Sequence, residues 1–234
     1  MTYRGIDPET IPGVRLVGLS IQPIGTPALS LISLAGRDGA LVERQGRGGK
    51  QIDLIFALLV RDPADQLPII DRLNAWAWGG EGDLALDGDG GKAYRAWMQA
   101  ATAPESAPGG RVTYTFCAPD GLKYGPEQTA MLSADSAAVV NNPGNAATAW
   151  TLSYTVPEAV PDGLSWTNGV QTITLTGEVP AGAQIGIDAG RELITIGGES
   201  AMARLTWDSR FFQLAPGANA ITGPGVLTYR GAWL

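Results

Sequence analysis

The amino-acid sequence predicts a mainly β protein with one helix, divided into two domains. Three observations carry that expectation. Short apolar runs of strand length recur along the chain between Gly, Pro, Asn and Asp; the segment 63–78 repeats its apolar residues at steps of three and four; and residues 133–149, SADSAAVVNNPGNAATA, separate two differently patterned halves. In that break Pro143 follows Asn141 and Asn142, Gly144 can take positive φ and Asn145 tolerates the left-handed region, so the segment punctuates strongly. The expected domains are 1–133 and 134–234, each of a size that suits one hydrophobic core.

Residues 15–22, RLVGLSIQ, and 28–35, ALSLISLA, read as strands, and the prolines between them forbid a continuous helix. Gly36–Lys50 carries five glycines, with Arg37, Arg44, Arg47 and Lys50 against Asp38 and Glu43. It reads as a long flexible loop with a local positive excess, suited to an acidic surface on a neighbouring subunit. Gln51–Arg61 is a long strand, apolar enough at its centre to be covered on both faces.

Asp62-Pro63 then supplies a helix cap and a first helical residue. Ala64, Leu67, Ile70 and Leu73, with Ile69 alongside, then Trp76 and Ala77 follow at three- and four-residue steps, and Gly79-Gly80 ends the helix. Pro68 removes one hydrogen bond, which implies a distorted first turn or a later start. Asp83–Asp87 and Ala93–Ala100 form a hairpin across Gly88–Gly91, and Arg111–Ala118 is a strand with Val112, Tyr114 and Phe116 on one face. The first half is thus an α+β barrel-like or sandwich arrangement with a single covering helix.

The second half has no helical pattern. Strands are expected at 149–157, 169–176, 184–188, 192–196, 201–207 and 226–232, with 211–221 crossing over before the last, as in a β-sandwich.

Composition removes most chemistries. The net charge is −7 and both halves hold more acidic than basic side chains, which argues against specific nucleic-acid binding. The longest apolar run, Leu54–Val60, is too short to insert in a bilayer, and Met1–Pro12 lacks the apolar stretch of a secretory leader. Cys117 is the single cysteine, so no intrachain disulfide forms, and its strand context predicts a small buried hydrophobe.

Histidine is absent, which excludes a Ser-His-Asp triad, a Cys-His pair and histidine metal sites. Gly49-Lys50 and Gly91-Lys92 fail as phosphate loops, since Arg44 and Leu86 stand where the first glycine belongs and no Ser or Thr follows either lysine. Asp87 and Asp89 fit a calcium loop poorly, because Gly91 and Met98 occupy ligand positions. No cofactor, metal or catalytic residue is expected. Among the seven tryptophans core or interface packing is the expected role, and Trp150 and Trp166 are the candidates for stacking on a sugar.

The order GGKQIDLIFALLV, DPADQLPIIDRLNAWAW, LALDGDGGKAYRAWMQA, TYTFCAPDGLKYG, NNPGNAATAW, GVQTITLTGEVPAGAQIGID, GRELITIGG and FFQLAPGANAI resembles the distal tail proteins of siphophages over about residues 15–234. The resemblance implies an N-terminal tail-tube-like β-barrel with one helix and a C-terminal galectin-like β-sandwich. It further implies a structural virion protein of the tail tip: a homo-hexameric ring joining the tail tube protein to the tail hub protein, in reach of tape measure and receptor-binding proteins, with DNA passing through its lumen. Arg37, Arg44, Arg47 and Lys50 are the expected subunit-interface residues. Two other readings are a carbohydrate-binding sandwich module and a hydrolase that uses carboxylates alone; no motif supports the last.

Overall fold

The computed structural model describes residues 1–25, 27–36, 38–102 and 110–234. The chain divides into two compact units, Met1–Tyr124 with Leu234, and Gly125–Trp233. The protein is mainly β, as expected, with one α-helix among the described residues.

The first unit contains β1 (Thr2–Tyr3), β2 (Val14–Ile21), β3 (Pro27–Ser33), β4 (Ala40–Arg47), β5 (Lys50–Leu58), α1 (Gln66–Ala77), β6 (Gly82–Ala85), β7 (Ala93–Ala101), β8 (Arg111–Ala118) and the start of β9 (Lys123–Leu132). Antiparallel pairing runs β1-β6-β7-β8-β5-β2. Ala93–Ala96 of β7 pair with β6 and Trp97–Ala101 with β8, the latter pairing interrupted by a bulge between Met98 and Ala100. Inward residues alternate along β5 and β8 (Ile52, Leu54, Phe56; Val112, Tyr114, Phe116) and face the buried side of α1, Ile69, Leu73, Trp76 and Ala77. Trp76 stands edge-on to Tyr3, Phe56, Tyr114 and Phe116, and its indole N–H donates to the Ile6 carbonyl at 3.0 Å.

The helix begins later than Asp62-Pro63. A single 3-10 turn, Pro63–Asp65, comes first, with the Asp62 carboxylate accepting from the Ala64 N–H at 2.9 Å. Starting at Gln66 places Pro68 in the first α turn, where an N–H has no helical acceptor to lose. Gly36–Lys50 also differs from the expected loop. Ala40–Arg47 is the return strand of a hairpin with β3, and Gly36 and Gly39 take positive φ in the turn between them. Its glycines hid a strand whose apolar content is only Ala40, Leu41 and Val42.

The second unit holds the remainder of β9, then β10 (Ala138–Asn142), β11 (Trp150–Thr155), β12 (Leu164–Thr167), β13 (Thr172–Leu175), β14 (Gln184–Asp188), β15 (Leu193–Ile196), β16 (Glu199–Ser200), β17 (Gly217–Ile221) and β18 (Gly225–Trp233). The main sheet is ordered β16-β15-β14-β11-β18, with β18 beside β9; β10-β17 and β12-β13 are two-stranded. Trp150, Leu152, Trp166, Ile173, Leu175, Ile185 and Ile187 form its core.

Residues 201–207 are a 3-10 turn, Met202–Arg204, where a strand was expected. Arg204 explains the difference: its guanidinium donates to the Thr176 and Glu178 carbonyls at 2.8–3.0 Å, which holds the segment as a turn. In the NNPGN stretch, Asn141 and Asn142 finish β10, and the buried Asn142 amide donates to the Ala146 and Leu214 carbonyls. Gly144 is required there by crowding, since a Cβ would collide with the Ala232 carbonyl.

Candidate assembly surface

The chemistry of an assembly surface is apolar area that the single chain leaves uncovered, set among charges that fix register. The β3–β4 ribbon has both. No other strand pairs with it among the described residues. Leu31 lies opposite Val42, and Ile32 opposite Leu41. Successive residues of a strand point to opposite faces, so each face of the ribbon carries an apolar pair. All four side chains are exposed, Leu31 at 68% and Val42 at 62%. Leu34 in the turn adds to them.

The expected interface cations separate into three groups. Arg37 lies outside the described residues. Arg44 sits in β4 opposite Leu29, and Arg47, at the end of that strand, is exposed. Lys50 turns inward. It opens β5 on the same parity as Ile52, Leu54 and Phe56, pairs with Ala118, and is 2% exposed. That parity corrects its placement on a surface, and the alternation Lys50-Ile52-Leu54-Phe56 was the signal for it.

Around Lys50 is a polar cluster at the ribbon's base. The ammonium groups of Lys50 and Lys123 lie 5.5 and 5.7 Å from the centre of the Tyr94 ring. Lys123 pairs with Asp89 at 2.8 Å, and Lys92 approaches the same carboxylate at 3.7 Å. Tyr124 donates to Asp120 at 2.6 Å beneath Arg95, whose guanidinium lies 5.0 Å from the Tyr124 ring centre. Burial lowers the pKa of Lys50, and the nearby charges of Lys123 and Arg47 lower it further. Burial and then the Asp120 hydrogen bond push the Tyr124 phenol up. Backbones crowd here too: a Cβ at Gly25 would collide with the Gly48 carbonyl, and one at Gly49 would stand 3.1 Å from the Cys117 sulfur. Cys117 is half-buried, opposite in parity to Phe116, where full burial was expected.

A second apolar feature, which sequence reasoning missed, lies between α1 and β7. Asn74, Ala75, Trp78 and Met98 line an open groove of about 470 Å³. Trp78 caps the helix in an extended conformation and is 76% exposed. The Asn74 side-chain oxygen already accepts from the Tyr114 hydroxyl at 2.7 Å.

In the second unit the tryptophans proposed to stack on sugars are core residues. Trp150 and Trp166 are buried, with indole N–H groups donating to the Phe212 and Pro224 carbonyls at 2.9 and 2.8 Å. Trp207 is instead 96% exposed, on a turn fixed by hydrogen bonds from Thr206 to Thr174 and from Arg210 to Thr172. Among the described residues no three His, Cys, Asp or Glu side chains converge as a metal site, and no helix is long and apolar enough to cross a membrane.

These features are an uncovered apolar ribbon and an apolar groove on a mainly β chain, and comparison with known proteins finds the following likenesses. Residues 143–233 match the family model described as "Siphovirus-type tail component, C-terminal domain". Over the whole of the given chain the fold is similar to that of a solved protein, SPP1 Dit (gp 19.1), described as a paradigm of hub adsorption apparatus in phages infecting Gram-positive bacteria. The TM-score is 0.82 at 16% identity, covering 100% of this chain and 98% of that one. Two structures of the phage p2 baseplate in its activated conformation, with Ca and with Sr, align at TM-scores of 0.46 and 0.43 and identities of 8% and 9%; they cover 96% and 94% of this chain and 92% and 91% of theirs. No curated protein matches the sequence.

Proposed function

We propose that this chain is a structural subunit of a siphophage tail tip, a distal tail protein whose copies close into a hexameric ring between the tail tube and the hub. The observation that carries the reading is the β3–β4 ribbon, apolar on both faces and uncovered in the single chain. An isolated two-stranded ribbon is marginally stable in water, so such a ribbon needs a partner surface. The full-length fold likeness to SPP1 Dit and the tail-component match of 143–233 support the same reading. The domain that carries the ribbon builds the ring, the protein acts by assembly and not by catalysis, and its place is the tail tip of the virion. The tube and hub proteins are its neighbours.

Light scattering with negative-stain imaging of the purified chain tests the reading. Sixfold rings are expected, and Leu31→Asp with Val42→Asp should reduce them to monomers whose thermal melt is unchanged. A chain that stays monomeric even with tube and hub proteins added overturns it.

The second reading, glycan binding by the C-terminal sandwich, retains one observation, the rigidly presented Trp207 flanked by Thr206, Asp208 and Arg210. Glycan-array binding that disappears in Trp207→Ala would favour it; an array without signal would remove it.

A further inference from the structure

The ribbon needs an apolar receptor, and the same chain carries one. We infer that the Leu31/Val42 face of the ribbon on one copy docks into the groove of Asn74, Ala75, Trp78 and Met98 on the next copy. This rests on the ring reading and specifies its subunit contact. A ring requires a heterologous interface, in which two different patches of one chain meet head to tail. The ribbon and the groove are two such patches: one projects aliphatic side chains, and the other is concave, with Trp78 as its exposed wall.

The groove is preformed. Its helix is anchored through Leu73, Trp76 and Ala77 in the core, and the Asn74 oxygen is engaged by Tyr114. An aliphatic occupant therefore enters without stripping that acceptor of its donor. A large aromatic at the rim of a shaped apolar hollow is the usual anchor of a protein interface. Charges border both patches: Glu43 and Arg47 are exposed on the ribbon, and Glu81 is exposed just beyond Trp78, whose carbonyl accepts from the Arg4 guanidinium at 3.5 Å. The occupant is a second copy because the complementary surface is present on this chain, so no further protein is needed to cover either patch.

Two measurements on the full chain test the contact. In a Cys117→Ser background, Val42→Cys combined with Ala75→Cys should yield, with a short bismaleimide, a ladder of covalent oligomers up to ring size, while each single-cysteine chain should not. In the native background Trp78→Asp should abolish rings, and Trp207→Asp should leave them intact. Every position in the native-background pair is exposed, so a thermal melt equal to that of the parent is expected for both variants. Rings that persist in Trp78→Asp, or rings of the double-cysteine chain that give no ladder, overturn the inference and leave the ring reading standing. A parent chain that forms no rings even with tube and hub proteins added overturns both.

Discussion

Lys50 shows how one residue's parity decides its chemistry. Its ammonium is buried over Tyr94, near Lys123 and Arg47, and its pKa is lowered by burial first and then by those cations. A lysine with a lowered folded pKa binds its proton less well when folded, so stability is penalised at neutral pH. The penalty is relieved as pH rises through the lowered value toward the ordinary lysine range. Lys50→Met should therefore raise the melting temperature at pH 7, by a gain of no more than about 1 kcal/mol because the cation–π contact is lost. That gain should shrink at pH 10; a gain independent of pH would show that packing alone is responsible. Gly144 works through space. Gly144→Ala should cost about 1–3 kcal/mol, the range for overpacking, since the Ala232 backbone has to move. Thermal unfolding of the two variants separates these effects.

At the scale of elements, the ribbon and the helix follow different rules. Helix α1 was legible because its apolar residues keep the 3.6-residue period and Gly79 ends it; only its start moved, through the extra 3-10 turn. The return strand β4 was not legible. Its partner β3 sits on the far side of a glycine-rich turn, and a ribbon exposed on both faces lacks the alternation that burial imposes. Lys50 does not belong in a charge-reversal test, since an acid at that position would stand in a buried site. Arg44→Glu with Arg47→Glu is the clean test. It should weaken assembly at low salt and leave the monomer's melt unchanged, since a surface ion pair contributes only about 0.2–1 kcal/mol. Assembly equal to the parent's at low salt would remove these arginines from the interface.

At the scale of the whole molecule, two separate hydrophobic clusters hold the fold, one around Trp76 and one around Trp150 and Trp166. Leu73→Ala and Ile173→Ala should each cost about 2–5 kcal/mol. They share no packing partner, so the double variant should lose the sum; a marked departure from additivity in denaturant titrations would indicate coupling between the cores.

The sequence by itself determined the class of structure: strands, one helix, no histidine chemistry, and an order of segments like that of a siphophage tail component. Those properties are local, because period, punctuation and residue type act over a few neighbours. Tertiary structure alone decided which cations face solvent, which tryptophans are buried and that the chain carries both an exposed apolar ribbon and an apolar groove. Burial depends on what a distant segment brings to the other side of a residue. Trp166 follows a serine and Trp207 a threonine, yet the first is packed in the second cluster with its indole N–H on the Pro224 carbonyl and the second is 96% exposed on a turn.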